Sequence, residues 1–319
     1  MSNITLSHNT IYVGERFSFV LQRTLRLPDD GKTYPLPPGL DTFPIMRVSD
    51  YEDKVPQRWR EQGGFFVPLY QREALWLQFE GAWWKPNAVK VSVGGINAVS
   101  GEEWNEELRD DPQNYIVCPD QPWLDGINIG DAQVRQFVAT PLGLGDTIEE
   151  QLTGTDKWGG IQLQVFEPRP GVFPDEPPSR GPIAFEALAE AAAPAGMGIG
   201  AGGRMDQKIY PDSHGLDTWD QSSCTPVFIH IVNSEQYFAI TGREPPPSPV
   251  SAQLYTNMNL PWFELYDEDR SDLPASERLK TVKALKERDS DRGSDQNDDE
   301  SVTIDSDQII HLKNENKTE

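Results

Sequence analysis

At 319 residues, with 37 % hydrophobic and 25 % charged residues, the chain is long enough for a substantial core, and its length suggests about two domains. Its 51 acidic against 28 basic side chains leave a net charge of −23, a field that repels phosphate backbones and anionic headgroups, so nucleic-acid and lipid-surface binding are disfavoured. Two cysteines make no secreted disulfide framework, no window approaches about eighteen apolar residues, and MSNITLSHNTIYVGERF lacks a basic segment leading into an apolar run; the expected location is cytoplasmic, without signal peptide or membrane insertion.

Residues 10–168 read as β, a β-sandwich or jelly-roll-like domain. In RFSFVLQRTLRL, Phe17, Phe19, Leu21, Leu25 and Leu27 share one face of a period-2 strand, interrupted by Arg23, and PDDG at 28–31 supplies a turn. EALWLQF, AVKVSV and GGIQLQVF repeat the alternation through Leu75, Leu77 and Phe79, then Val89, Val91 and Val93, then Ile161, Leu163 and Val165. Closely spaced Gly and Pro, with no long amphipathic helix between these runs, argue against βαβ units. Residues 169–196 read as a junction: EPRPGVFPDEPPSRGP is an extended spacer, and IAFEALAEAAA (183–193) has strong helix propensity. Composition changes there, so a domain boundary is expected.

Residues 197–270 read as a smaller α+β unit. RMDQKIY and VFIHIV look like strands. NSEQYFAITG looks like a helix capped by Asn233 and stopped at Gly242, and SAQLYTNM like a short helix before the aromatic run LPWFELYDE. Residues 271–319 read as a charged, largely disordered tail. SERLKTVKALKER within it suits a brief amphipathic helix through Leu279, Val282 and Leu285, whereas DSDRGSDQNDDES is almost devoid of apolar residues.

Few motifs carry chemistry. Gly198, Gly200 and Gly203 match G-x-G-x-x-G, but an Ala-rich helix precedes them and Pro211 follows, so a flexible or tightly turned connector is expected rather than a dinucleotide loop. Of the four His, His230 lies within VFIHIV as a satisfied sheet residue, and no second ligand stands at zinc spacing. Cys118 follows the apolar NYIV as a half-buried structural thiol. No catalytic, cofactor-binding or metal-ligating residue is assigned, and no cofactor.

Nine Trp lie mostly beside Gly, Pro, Asn or Asp near strand ends, where they cover the open ends of the core or anchor a partner. The stretch CPDQPWLDGINIGDAQVRQF (118–137) concentrates the polar candidates. Trp123, Asp125, Asn128 and Arg135 form its candidate interaction loop between two strands, with Asp120 or Asp125 bonding local backbone and Arg135 pairing with either acid.

RFSFVLQRTLRLPDDGKTYPLPPGLDTFP, VKVSVGGINAVSGEEW, YIVCPDQPWLDGI, VRQFVATPLGLGDTIEEQLTG, GGIQLQVFEP and the run from MGIGAGGRMDQKIYPD to LPWFELYDE resemble a family of bacterial and fungal proteins without assigned activity, often labelled integral membrane proteins. The resemblance covers roughly residues 10–270. In some eukaryotic relatives a ubiquitin unit is inserted between the halves, which implies an exposed junction near 170–196. Two functional readings follow. The first is a soluble non-enzymatic binding or assembly protein, holding a protein partner or a copy of itself through loop aromatics. The second is an enzyme on a carbohydrate or similar polar polymer, with a carboxyl pair flanked by Trp in one deep groove.

Overall fold

Alternating apolar residues place the principal strands where the period-2 pattern puts them. The computed structural model describes residues 3–177, 197–266, 270–294 and 301–313. Among these, the chain is mainly β, with a 17-stranded, predominantly antiparallel sheet and a separate two-stranded sheet. The large sheet runs from Ile4–Ser7 through Thr10–Val13, Phe17–Thr24, Ala74–Glu80 and Gln133–Pro141 to Met197–Asp206. Met197 opposite Ile231 links it to Thr225–Val232, from which it continues through Ile161–Phe166 to Asn87–Val93 and Ile116–Cys118. Phe17, Phe19 and Leu77 from one half meet Val89, Val91, Leu163 and Val227 from the other in one buried cluster. Each such side chain contributes about 1.5–3 kcal/mol by leaving water.

The outer face is covered too, which alternation alone does not foretell. Lys90 and Ser92 are each 2 % exposed, and Gln162 and Gln164 are also buried. The Lys90 ammonium is tolerated because Nζ donates to Asn105 O, Asn105 Oδ1 and Glu107 O at 2.9, 2.7 and 2.8 Å. That segment lies over the strand and supplies the acceptors that burial demands.

The expected boundary at 169–196 does not divide two sheets. Met197–Asp206 and Thr225–Val232 hydrogen-bond to strands of the 10–168 region, and the predicted helix at 183–193 lies outside the described residues. The Gly-rich segment is likewise corrected from connector to strand. A Cβ on Gly202 would come within 2.5 Å of Val138, and one on Gly203 within 2.4 Å of the Pro28 carbonyl. These glycines serve close approach of neighbouring chain rather than a turn.

Local signals beyond the sheet are well obeyed. Asn233 accepts from the Gln236 N–H at 2.7 Å to start Ser234–Thr241, and Gly242 ends that helix at φ 68°. Ser251 caps Ala252–Asn257 in the same way. The disordered-tail expectation is narrowed. The single helix expected through Leu279, Val282 and Leu285 is broken into Glu277–Lys280 and Leu285–Asp291, with Val282 between them and all three side chains buried, while Ile309–Lys313 pairs in parallel with Trp262–Tyr266. Apolar residues spaced through an otherwise charged stretch are sufficient to dock it. Among the described residues no helix is long and apolar enough to cross a membrane.

Candidate functional site

Register gathers several loops at one end of the sheet. Cys118 pairs with Asn87 and Phe166 with Ala88, so the connections 81–86, 119–122 and 167–177 emerge together. The Pro168–Trp219 bridge brings residues 211–220 to the same end. Trp83 stands there 62 % exposed, edge-on to the half-buried Trp84 with centroids 6.1 Å apart. Its loop is anchored on both sides. Lys85, 8 % exposed, donates to Asp175 Oδ1 at 2.5 Å, and a Cβ on Gly81 would meet the Cys118 carbonyl at 3.2 Å.

Around the tryptophans the end is polar and fixed. Asp212 accepts from Tyr115 OH, Trp219 Nε1 and the His214 N–H at 2.6, 2.9 and 2.7 Å. The His214 ring meets Phe173 edge-on at 5.3 Å. Its Nε2 lies 3.9 Å from Asp120 Oδ2, which also lies 3.8 Å from Arg270, whose guanidinium covers the Tyr210 ring at 4.0 Å. Arg16 and Glu167 pair at the same end. The end of the sheet that carries exposed Trp83 thus also carries loops whose polar groups are held by hydrogen bonds and ion pairs.

The four residues expected to form the interaction loop do not converge on one cleft. Trp123 is half-buried and packs edge-on to Trp76, with centroids 6.3 Å apart. Asp125, 3 % exposed, forms a reciprocal pair with Gln207: its N–H donates to Gln207 Oε1 at 3.0 Å, and Gln207 Nε2 donates to Oδ2 at 2.7 Å. Asn128, 1 % exposed, makes the local Asx-type contact by accepting from the Gly130 N–H, and it donates to Pro274 O at 3.1 Å. Arg135 faces Glu287 at 3.5 Å and Asp29 at 3.8 Å, rather than Asp120 or Asp125. Asp131 and Ala132 form the hairpin tip at φ 56° and 57°. Asp125, Asn128 and Arg135 thus tie the stretch to distant segments, and its 119–122 segment reaches the loop end.

Cys118 is buried rather than half-buried; desolvation pushes its thiol far up, against any role as a thiolate. His230 is satisfied, as expected: Nε2 lies 3.0 Å from Gly63 O, the ring stacks on Trp59 at 4.6 Å, and burial lowers it to about 4. No group of three or more His, Cys, Asp or Glu among the described residues is placed to hold a metal ion.

Two cavities stand apart from the loop end. One, of about 410 Å³, is lined by Arg26, Arg72, Glu73, Val250 and Val302 among others. Burial pushes the Glu73 carboxyl up to about 7, against the opposing charge of Arg23. The other, of about 150 Å³, has Trp59, Trp158 and His230 in its wall. The larger has one carboxyl and no Trp, and the smaller has two Trp and no carboxyl, so neither wall combines a carboxyl pair with Trp. The Arg–Glu cleft escaped the sequence reading because its residues come from separate segments, and no local pattern marks LRLP or QREA.

Compared with known proteins, the chain matches no family model, no curated protein and no solved structure. The resemblance drawn from the sequence therefore assigns no role to any residue above.

Proposed function

We propose that this chain is a non-enzymatic binding or assembly protein that holds a protein partner on the loop end of its β scaffold. The observation that carries the reading is Trp83, 62 % exposed on a loop pinned by Lys85 and Asp175. A large exposed aromatic side chain buries much apolar area when a partner covers it. The Asp120–Arg270 and Arg16–Glu167 pairs at the same end of the sheet add charge of both signs. A net charge of −23 favours a basic partner over a second copy of the chain, since two copies repel. The shared core of the two sheet halves supports a sandwich-like scaffold, and a cytoplasmic location accords with two unpaired cysteines.

The test pairs light scattering after size exclusion with affinity capture by the wild-type chain and by Trp83→Ala. Because Trp83 is exposed, the variant is expected to keep its unfolding midpoint and to lose a partner that the wild type retains. A wild-type chain that is strictly monomeric and retains nothing, or a variant retaining the same partner equally well, would overturn the reading. The carbohydrate-enzyme alternative draws no support from the walls of the two cavities.

A further inference from the structure

We propose that the 150 Å³ cavity walled by Trp59 and Trp158 binds a small aromatic carboxylate, its ring among the apolar side chains and its carboxylate on the Arg58 guanidinium. The cavity lies at the opposite end of Ile161–Phe166 from the loop end, since Gly159 and Gly160, which lead into that strand, are in its wall. Trp59, Trp158 and His230 line it together with Leu142, Met197 and Ile231. An apolar cavity of roughly 150 Å³ is large enough to take up one benzene ring. Among the described residues of this wall, Arg58 is the one Asp, Glu, Lys or Arg, so a ligand with one ring and one negative charge matches both its surface and its size.

Half-buried Arg58 has donors to spare for such a ligand. Its Nε donates to Gln62 Oε1, one helical turn on, at a long 3.4 Å, and among the described residues Nη1 and Nη2 make no hydrogen bond or ion pair. The head of the side chain stands at the wall: a Cβ on Gly159 would lie 3.8 Å from Arg58 Nη2 and 3.5 Å from Leu142. Glu149 and Asp156 are the carboxylates whose charge acts on Arg58, and both are engaged elsewhere. Glu149 accepts the three N–H groups of residues 157–159, and Asp156 accepts from the Gly143 N–H and the Thr147 hydroxyl. Lys157 Nζ, 5.3 Å from the centre of the Trp158 ring, adds a second positive charge nearby. The planar guanidinium fork matches the two oxygens of a carboxylate, whereas an ammonium ligand would be repelled. The walls are also preformed. The helix Gln57–Gln62 ends at Gly63, whose carbonyl lies 3.0 Å from His230 Nε2, while the Trp59 ring stacks on His230 and the Trp158 ring on Phe228. Side chains already held in place keep the ordering cost of binding low.

The test uses the full chain at constant ionic strength, with calorimetric titration and thermal shift against benzoate, benzyl alcohol, benzylammonium and acetate. Benzoate should bind and raise the melting temperature. Acetate, which lacks the ring, and benzyl alcohol, which lacks the charge, should each bind more weakly by about tenfold or more, and benzylammonium should not bind. Arg58→Gln is expected to weaken benzoate by about tenfold or more while leaving the affinity for benzyl alcohol unchanged, a split that a general loosening of the fold would not produce. Gln236→Glu places a carboxylate on the same wall, in the first turn of Ser234–Thr241 where an acid is favourable, and should likewise weaken benzoate but not benzyl alcohol. It decides the matter if the Arg58 variant fails to fold. Absence of benzoate binding, acetate or benzylammonium binding as tightly as benzoate, or wild-type benzoate affinity in a folded variant would each overturn the proposal.

Discussion

A carboxyl group with 3 % of its surface exposed and a glutamine as partner destabilises the fold once it is ionised, and Asp125 is that group. Burial pushes it from 3.8 up to about 7, while the hydrogen bond from Gln207 pulls the other way. The folded chain thus keeps a proton that the unfolded chain has already released. Stability from this group is complete below about pH 4 and lost as pH rises through about 7. A shift of this size corresponds to something on the order of 4 kcal/mol. Asp125→Asn is therefore expected to match the wild type in urea unfolding near pH 4 and to exceed it by roughly 1–3 kcal/mol at pH 8. An offset that is the same at both values would show that Asp125 is not the titrating group. The sequence marks Asp125 only as half of an Asp-Gly turn pair, because its burial comes from Gln207, 82 positions away. Burial of that kind leaves no local trace.

At the scale of elements, the legible features are those whose physics is local. The caps at Asn233 and Ser251, the stop at Gly242 and the alternating strands all depend on neighbours within a few residues. The helix Ile148–Thr153 shows where legibility ends. Thr147 caps it by accepting from the Glu150 N–H, a short-range contact. Glu149, 2 % exposed, reaches out of the helix to accept from the N–H groups of Lys157, Trp158 and Gly159 at 2.8, 2.6 and 2.8 Å. Those three bonds hold the loop against the body and place Trp158 parallel to Phe228, 6.4 Å between centroids. Burial raises this carboxyl while the three donors lower it, so the interaction needs the acceptor-only character of a carboxylate. Glu149→Gln turns one acceptor into a donor facing a donor. It should cost roughly 2–4 kcal/mol and speed amide exchange at Lys157, Trp158 and Gly159 ahead of the sheet. Uniform destabilisation without selective exchange there would remove the claim that Glu149 holds this loop.

For the molecule as a whole, strand order was the least legible property, because it is decided by pairings such as Phe19 with Phe79 and Ala139 with Ile199. Joining segments that far apart also explains why a change in composition near 170–196 did not mark a divided sheet. Charge, in contrast, is a global quantity that the sequence states outright, and it predicts opposite responses to salt. The chain carries −23, so long-range repulsion acts against its folded state. Exposed pairs such as Lys280–Glu277 offset little of that, while Arg23–Glu73 and Arg72–Asp289 are shielded from salt by burial. Raising sodium chloride from about 0.02 to 0.5 M shortens the screening length from roughly 20 to 4 Å. It should therefore raise the melting temperature of the isolated chain. A basic partner held by the same field should be released over that interval, chiefly through slower association. Scanning calorimetry and capture at matched salt read the two effects separately. A melting temperature that falls with salt would mean that local ion pairs, rather than net repulsion, dominate the electrostatics of the fold.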